Sequence, residues 1–240
     1  MSHAPGVTLQ RGRYDMAVDL TGDVRLVRRF SGMRIVGVFP APREIREAQW
    51  DLLKGRFVME RMGRMKDRLL EARVAFVDKV LKNVEGLMLA EDEEVTRETP
   101  GWKEFIPANV KSIWASIWEE ASVKVDGRAF LRSPTRLNVD WCGQDVLAEF
   151  PPMVDLGDEI RALLKGRYII GRDTDPDRLL EAREAFVSEN LRSVENLTVG
   201  DIPLTTDTED WISHIPLGVV SGLAQYFEEG SALSEDEEKN

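Results

Sequence analysis

The residues of this sequence that could do chemistry are few, and their spacing matches no familiar reaction centre. Among 240 residues there are only 2 histidines and 1 cysteine, which are His3, His214 and Cys142. They do not provide the Cys/His spacing of a zinc site. There is no glycine-rich phosphate loop, Gly-x-Ser-x-Gly elbow or Cys/His nucleophile pattern. We therefore predict no catalytic, cofactor-binding or metal-binding residues, and we predict that the protein is not an enzyme.

One acidic pattern resembles the start of a calcium loop. Residues 173–177 read Asp-x-Asp-x-Asp, and Glu184 follows at a suitable distance. A calcium loop needs glycine at its sixth position for the sharp turn, and Arg178 stands there. A helix start accounts better for these carboxylates, with Asp175 as N-cap and Pro176 as the first helical residue.

An internal repeat organises the chain, because residues 136–229 resemble residues 25–120. Residues 177–183 (DRLLEAR) are identical to residues 67–73, and the segment at residues 163–168 repeats an earlier one with one change. Each copy has enough residues to bury a core of its own. The sequence therefore predicts a pseudo-dimer.

Each copy begins with a predicted β-hairpin, at residues 24–39 and 136–150. β-Branched and aromatic residues flank Ser31-Gly32 in the first hairpin and Cys142-Gly143 in the second, and such glycines tolerate positive φ in a turn. Both hairpins end in Phe-Pro, where proline stops strand pairing and favours the start of a helix.

Three helices are predicted to follow each hairpin. The first covers residues 43–54 in one copy and residues 156–165 in the other. Gly55 and Gly166 are expected to close these helices as C′ caps. A Lys-Gly-Arg phosphate grip is the alternative interpretation of the two glycines.

The second and third helices are predicted from apolar spacing. The second covers residues 66–84 and 176–194, where apolar residues recur at i, i+3 and i+7. The third follows a polar loop, a tryptophan and Ile-Pro, and it covers residues 107–121 and 216–229.

The predicted fold class is α+β, a tandem internal repeat in which each copy is a β-hairpin packed with about three α-helices. Residues 1–17 are expected to form an N-terminal arm without helix or strand. Repeat 1 covers residues 18–122 and repeat 2 covers residues 123–230. Residues 231–240 form an acidic tail that is expected to be disordered.

The charge balance restricts the partners. The formal net charge is −11, whereas a nucleic-acid-binding protein should present a basic surface. No apolar run approaches the roughly 20 residues of a membrane span, and the first residues lack the pattern of a signal peptide. We expect a cytoplasmic protein that binds neither nucleic acid nor membrane, and the lone cysteine agrees with a reducing compartment.

The charge is distributed unevenly between the copies. Residues 1–122 contain 20 basic and 19 acidic side chains, whereas residues 123–240 contain 12 and 24. Drift in solvated faces together with an acidic tail is one explanation. In the other, the near-neutral copy of one subunit meets the acidic copy of the next, which predicts a homo-oligomer formed through unlike repeats.

Partner-binding residues are predicted where the copies differ and where tryptophan stands in a loop. Residues 57–66 are basic and rich in methionine, and methionine adapts to irregular surfaces. An ordinary loop with some methionine in the core is the alternative. The tryptophans are either interface anchors or clamps that hold a loop on the core. The candidate partner-binding residues are Met59, Arg61, Met62, Arg64, Met65, Trp102 and Trp211.

Carboxylates shared by both copies are interpreted as cap-region, dipole and surface charges. No salt bridge is assigned to the shared Arg73 and Arg183. His214 takes the place that Phe105 has in the first copy, so packing is its expected role. The shared carboxylates are Asp67 and Asp177, Glu71 and Glu181, Glu85 and Glu195, Glu119 and Glu228, and Glu120 and Glu229.

The helical part of each copy is similar to the small helical tail-assembly chaperones of tailed phages. The resemblance lies in the order Glu-Ala-Arg at residues 71–73, Val-Glu-Gly-Leu at residues 84–87, Trp102, and Ile106-Pro107 before the last helix. It implies a non-enzymatic protein that binds the tape-measure or tube protein in the host cytoplasm before tail assembly. A structural subunit of the tail or virion fits the duplication and the hairpins equally well. An enzyme with an unrecognised site is the third alternative.

Overall fold

The structure is a computed structural model, and its described part shows an α+β fold. Within that part the chain forms seven α-helices and thirteen short strands, arranged in four small and mainly antiparallel sheets. The described residues are 8–9, 18–62, 65–91, 93–119, 123–141, 144–168 and 176–231.

We call residues 18–122 the first half and residues 123–230 the second half. The elements up to residue 122 are β1 (Thr8–Leu9), β2 (Val18–Asp19), β3 (Val24–Phe30), β4 (Met33–Phe39), a 3-10 turn (Pro42–Ile45), α1 (Arg46–Met62), α2 (Met65–Val80), β5 (Asn83–Glu85), β6 (Met88–Ala90), β7 (Glu93–Glu94), a 3-10 turn (Trp102–Phe105) and α3 (Ala108–Ser116). The elements after it are β8 (Val123–Arg128), β9 (Thr135–Trp141), β10 (Gln144–Phe150), α4 (Gly157–Tyr168), α5 (Pro176–Asn190), β11 (Ser193–Glu195), β12 (Leu197–Val199), β13 (Ile202–Pro203), α6 (Trp211–His214) and α7 (Leu217–Ser231).

Both predicted hairpins are present. β3 and β4 pair along their whole length, ending at Phe30↔Met33, which leaves Ser31 and Gly32 as a two-residue turn. Their φ values of 48° and 82° are those of a type I′ turn, whose twist matches that of the strands. β9 and β10 pair in the same antiparallel way. The predicted turn residues of the second hairpin, 142 and 143, lie outside the described residues.

Each hairpin gains a third strand from a segment that was predicted to be helical. The second helices end at Val80 and Asn190, and the prediction that they reach Val84 and Val194 is wrong. The chain continues as β5 and β11, which pair with β4 and β10. Apolar spacing alone does not separate the last turn of a helix from a short buried strand. The edges of β4 and β10 decide the outcome, because they offer backbone hydrogen bonds that only a strand can use.

The first helices are longer than predicted, and the capping role of their glycines is wrong. Gly55 lies inside α1, which continues to Met62, and Gly166 lies inside α4, which continues to Tyr168. An interior glycine costs a helix about 1 kcal/mol relative to alanine. Tertiary packing stabilises helices against such costs, and α1 packs against α2 as α4 packs against α5.

The helix starts predicted at Pro107, Pro176 and Pro216 are confirmed to within one residue. α5 begins at Pro176, and α3 and α7 begin directly after Pro107 and Pro216. α3 ends at Ser116 and does not reach residue 121 as predicted. The backbone hydrogen bonds that follow it join residues three apart, which is the tighter 3-10 pattern common at helix ends.

A continuous core joins the two halves. Phe39 contacts Trp114 and Trp118 at ring-centroid distances of 5.9 Å, and Trp118 contacts Trp141 of the second half at 6.0 Å. The Trp141 indole N–H also donates to the backbone carbonyl of Ile117 at 3.3 Å. Aromatic pairs of this kind contribute about 0.5–1.5 kcal/mol each beyond the area that they bury. The halves therefore pack against each other with a shared interior.

The N-terminal region contains two short strands, so the expectation of an arm without strand is corrected. β1, within residues 1–17, pairs in parallel with β3. β2 pairs in parallel with β12, which attaches the start of the first half to the second half. The predicted tail beyond Ser231 lies outside the described residues. None of the helices in the described ranges combines the length and the apolar character needed to cross a membrane.

Candidate interaction site

A buried ion pair joins α5 to α7 in the second half. Arg183 donates from Nε and Nη2 to the two carboxylate oxygens of Glu228, at 2.9 and 2.7 Å. Its Nη1 donates to the hydroxyl of Ser221 at 2.8 Å. Arg183 is 4% exposed and Glu228 is fully buried. Bidentate pairs of this kind are among the strongest arginine–carboxylate contacts.

The first half contains a similar cluster. Arg73 donates to both oxygens of Glu119, at 2.9 and 2.5 Å, and to the hydroxyl of Ser112 at 3.5 Å. The hydrogen bonds to Glu119 raise the pKa of Arg73 despite the opposing effect of burial. The Glu119 side chain is fully buried, whereas the Arg73 side chain is 21% exposed.

These clusters correct two interpretations of the sequence. Glu119 and Glu228 are not surface charges, and Arg73 and Arg183 do form salt bridges. Each arginine lies more than 40 residues from its glutamate, so helical spacing could not reveal the pairs. Both oxygens of each carboxylate are engaged inside the protein. The clusters therefore hold the C-terminal segment of each half against the helix that carries the arginine.

Further buried polar groups lie where α1 of the first half packs against α5 and α7 of the second, a contact that we call the seam. Arg46 of α1 lies 2.9 Å from the carboxylate of Glu184 on α5, and it donates to the carbonyl of Ile215 at 3.0 Å. Gln49, three residues later, is fully buried. Within the described residues, neither of its side-chain amide atoms has a hydrogen-bond partner.

His214 lies close to the seam, and its side chain is only 7% exposed. Burial lowers its pKa below the usual value of 6.5, and the positive charge of Arg43 lowers it further, while Asp210 opposes the shift. Arg43 of the first half pairs with Asp210 of the second at 3.0 Å. The burial of His214 agrees with the packing role that the sequence predicts.

The two predicted tryptophan anchors are partly buried. Trp102 and Trp211 both pack against the core, and they start the 3-10 turn Trp102–Phe105 and α6 respectively. The turn in the first half carries more exposed aromatic surface, because Phe105 is 45% exposed while its counterpart His214 is buried. We call Trp102–Phe105 the aromatic turn.

Contacts within the first half fix the aromatic turn in place. The Lys103 ammonium lies 5.3 Å from the centre of the Trp102 ring and donates to the carbonyl of Asp78. The Trp102 backbone N–H donates to the carbonyl of Thr99 at 3.0 Å. Burial lowers the pKa of Lys103, and the nearby Asp78 opposes the shift. Phe105 therefore projects from a turn that is held at several points.

The predicted methionine-rich surface is helical where the structure describes it. Met59, Arg61 and Met62 lie in the last turns of α1, and Met65 is the first residue of α2. Arg64 and the side chains of the other four lie outside the described residues. The loop expected in this segment is therefore corrected to helix through Met62, and its role in binding stays a prediction.

An apolar surface that was not predicted lies beside the second hairpin. Phe130, Leu131 and Val154 are 48%, 71% and 60% exposed. They belong to two loops that are joined by backbone hydrogen bonds. The N–H of Met153 donates to the carbonyl of Phe130 at 2.9 Å, and the N–H of Val154 donates to that of Leu131 at 3.2 Å.

A second unpredicted apolar surface is strand β6, where Met88 and Leu89 are 37% and 41% exposed. The strand is too short for its alternation to be recognised in the sequence. The first surface had no sequence signal either, because Leu20, which lies 111 positions before Leu131, is buried.

No group of three or more histidine, cysteine or carboxylate side chains that could hold a metal ion occurs in the described part of the chain. The carboxylates of the calcium-like pattern at positions 173 and 175 lie outside it. No family model, curated protein or solved structure matches this chain.

Proposed function

We propose that this chain is a non-enzymatic, protein-binding assembly protein built by tandem duplication. The observation that carries the binding role is the aromatic turn, where Phe105 is 45% exposed beside a partly buried Trp102 held by Lys103. Aromatic residues on a fixed surface lose little conformational freedom when a partner covers them, and they are enriched at the centres of protein interfaces.

The duplication is supported by elements that recur in the same order. Strands β3, β4 and β5 have the same arrangement as β9, β10 and β11. The arginine that ends the DRLLEAR segment pairs with a buried glutamate and a serine in each half. Gly86 and Asn196 both adopt positive φ, 72° and 68°, after the third strand of their sheets.

The non-enzymatic role is supported by the burial and the hydrogen bonds of the side chains that are most capable of chemistry. Both oxygens of Glu119 and of Glu228 are bound by an arginine, so these carboxylates serve the fold. His214 is buried and takes the place of an exposed phenylalanine. The contacts of these groups favour structural roles for them.

In its more specific form, the proposal is a tail-assembly chaperone of a tailed phage, which binds an elongated helical tail component in the host cytoplasm. This step rests on the sequence resemblance. A structural subunit of the tail or virion is the second candidate. It is favoured by the exposed strand β6, which offers an edge for building a repeating assembly.

The test compares mature particles with the cytoplasmic fraction of producing cells. A tagged chain is isolated during assembly, crosslinked and analysed by mass spectrometry, and the particles are analysed in parallel. A chaperone should be absent from particles and should crosslink to an elongated helical protein, whereas a subunit should be present in them. Absence of both a particle context and a protein partner would contradict both roles.

The aromatic turn is tested with matched variants. Phe105→Ala should release the partner, because it removes exposed aromatic area at the proposed contact. Leu147→Ala removes an apolar side chain of similar exposure, 42% against 45%, from strand β10 and should keep that partner. Equal recovery of the partner by the wild type and by Phe105→Ala would remove the aromatic turn from the proposal.

A further inference from the structure

We propose that the chain also associates head to tail with copies of itself, by adding residues 129–131 of one molecule as a parallel strand to β6 of the next. The inference rests on the proposed duplication and goes beyond the partner at the aromatic turn. It makes the second partner another copy of the same chain, and it names the two surfaces that meet.

A contact of this type already exists within one molecule. β2 lies in parallel beside β12, with Asp19 opposite Thr198. The N–H of Leu20 donates to the carbonyl of Thr198 at 2.8 Å, and the N–H of Gly200 donates to the hydroxyl of Thr21 at 3.1 Å. Leu20 is only 1% exposed and belongs to the hydrophobic core. The segment that precedes the first hairpin is thus a strand docked on the second half.

The corresponding segment of the second half is exposed. Counting 111 positions from Leu20 leads to Leu131, and from Asp19 to Phe130. Leu131 is 71% exposed and Phe130 is 48% exposed. Their carbonyls accept hydrogen bonds from the N–H groups of residues 153–154, which hold the segment in place. In the docked strand the N–H of Leu20 donates to Thr198. The corresponding donor in the exposed segment is the N–H of Leu131.

The strand that would receive this segment has a counterpart in β12. β6 is followed by β7 in the first half, as β12 is followed by β13 in the second, and both pairs are antiparallel. The N–H of Val95 donates to the carbonyl of Leu87, just as the N–H of Leu204 donates to that of Leu197. The two short hairpins therefore share this closing hydrogen bond, although the pairing of β6 with β7 contains a register shift between Met88 and Ala90.

This pattern leaves one edge of β6 directed outwards. Backbone groups of successive strand residues point to opposite sides, so the N–H and C=O of Met88 face away from β7, as those of Thr198 face β2. Met88 and Leu89 are 37% and 41% exposed. Addition of a strand to such an edge is a common mode of protein recognition.

Charge favours the same pairing. Arg132 directly follows the exposed segment, and Glu91 and Glu93 lie beside β6, all three with exposed side chains. Docking of residues 129–131 on β6 brings a positive side chain towards an acidic hairpin. Opposite charges at the rim of a contact guide association and orientation.

The contact is heterologous, because it joins unlike surfaces. Each molecule offers the segment at residues 129–131 and the edge of β6, and both are exposed in the described part of a single chain. A molecule bound through its segment keeps its own edge for the next copy, so growth continues to a filament or closes to a ring. Few residues pair at each contact, and the assembly should therefore depend on protein concentration.

The test uses sedimentation velocity of the full chain over a wide range of concentration. Wild type should show species larger than a monomer that grow with concentration. Leu131→Asp removes the apolar segment and Leu89→Asp adds charge to the edge, so each variant alone should remain a monomer. A mixture of the two should form a one-to-one dimer that grows no further, because Leu131→Asp retains an intact edge and Leu89→Asp retains an intact segment.

Two controls make the result specific. Ile202→Asp changes a residue of β13 that is as exposed as Leu131, 71%, and this variant should associate like wild type. At a low concentration where wild type is monomeric, urea unfolding should give each variant the stability of wild type, since all three positions are exposed and association no longer contributes. A monomeric wild type, unchanged association of Leu131→Asp, or failure of the mixture to dimerise would each overturn the proposal. The partner at the aromatic turn is measured separately, so loss of self-association leaves that test intact.

Discussion

Arg183 and Glu228 face each other as a bidentate pair that is almost completely removed from water. They lie on α5 and α7, and the hydroxyl of Ser221 accepts a further hydrogen bond from the guanidinium. Removing one member of a buried pair leaves the other charge without compensation, which usually costs about 3–5 kcal/mol. The related pair in the first half, Arg73 and Glu119, is less buried, since the side chain of its arginine is 21% exposed.

This difference yields the first prediction. Arg183→Ala should lower the free energy of unfolding by about 3–5 kcal/mol. Arg73→Ala should lower it by less, because water reaches its site and partly screens the remaining carboxylate. Urea unfolding measures both changes. Arg161→Ala is the control, since its pair with Asp158 is largely exposed and should contribute less than about 1 kcal/mol. Equal losses for Arg183→Ala and Arg161→Ala would refute this account.

Gln49 provides a prediction of the opposite sign. Its side chain is fully buried, and among the described residues neither amide atom has a hydrogen-bond partner. Burying an amide without partners costs roughly 1–3 kcal/mol. Gln49→Met has a similar length and no amide, so it should raise the free energy of unfolding by about 1 kcal/mol. Thermal unfolding of both proteins measures the difference, and a destabilised variant would show that the amide is bonded in solution.

Gly86 should be intolerant of any side chain. Its φ is 72°, and a Cβ at this position would overlap the carbonyl oxygen of Arg34. Gly32 has a similar φ of 82°, but nothing lies within 4 Å of such a Cβ. Gly32→Ala should therefore show only the backbone cost of about 1–2 kcal/mol. Gly86→Ala should lose clearly more stability in the same unfolding experiment. Similar losses at both positions would rule out the close approach to Arg34.

The pH dependence of stability should report on His214. Its pKa is lowered in the folded protein, first by burial and then by Arg43. The unfolded chain therefore takes up the proton first as the pH falls, at about 6.5, and acidification destabilises the fold until the lowered pKa is passed. Above about pH 6.5 this contribution is constant. His214→Gln has no proton to gain. At pH values below about 6.5, the free energy of unfolding of wild type should therefore decrease relative to that of the variant. Unfolding curves measured from neutral to acidic pH test this, and parallel pH profiles would speak against it.

The hairpins, most helices and the matched order of elements were predictable because they depend on neighbouring residues. The Ser31-Gly32 turn follows from the residues that accept positive φ, and its register follows from the alternation of apolar residues around it. Helix starts after Pro107 and Pro216 follow from local backbone restrictions. Trp102 could be singled out because its loop position is visible in the sequence, but the exposure of Phe105 was not predicted, since packing was expected at that position.

Local rules failed where a distant partner decided the outcome. Gly55 resembles a helix end, yet α1 continues through it. Val84 and Val194 fit a helical stripe, yet β4 and β10 draw their segments into the sheets. Glu119 and Glu228 resemble surface charges near the end of a helix, and only the packing of these segments shows the arginines that face them.

The amino-acid sequence alone identifies two segments that share a pattern, together with the turns and helix starts that they contain. Which side chains meet depends on tertiary packing, because burial and strand pairing involve residues far apart in the chain. Leu20 and Leu131 illustrate the division. Both are leucines ahead of a hairpin, but the first is bonded to β12 through its backbone N–H and is 1% exposed, while the second is 71% exposed. A difference of that kind depends on which strand edge each segment can reach.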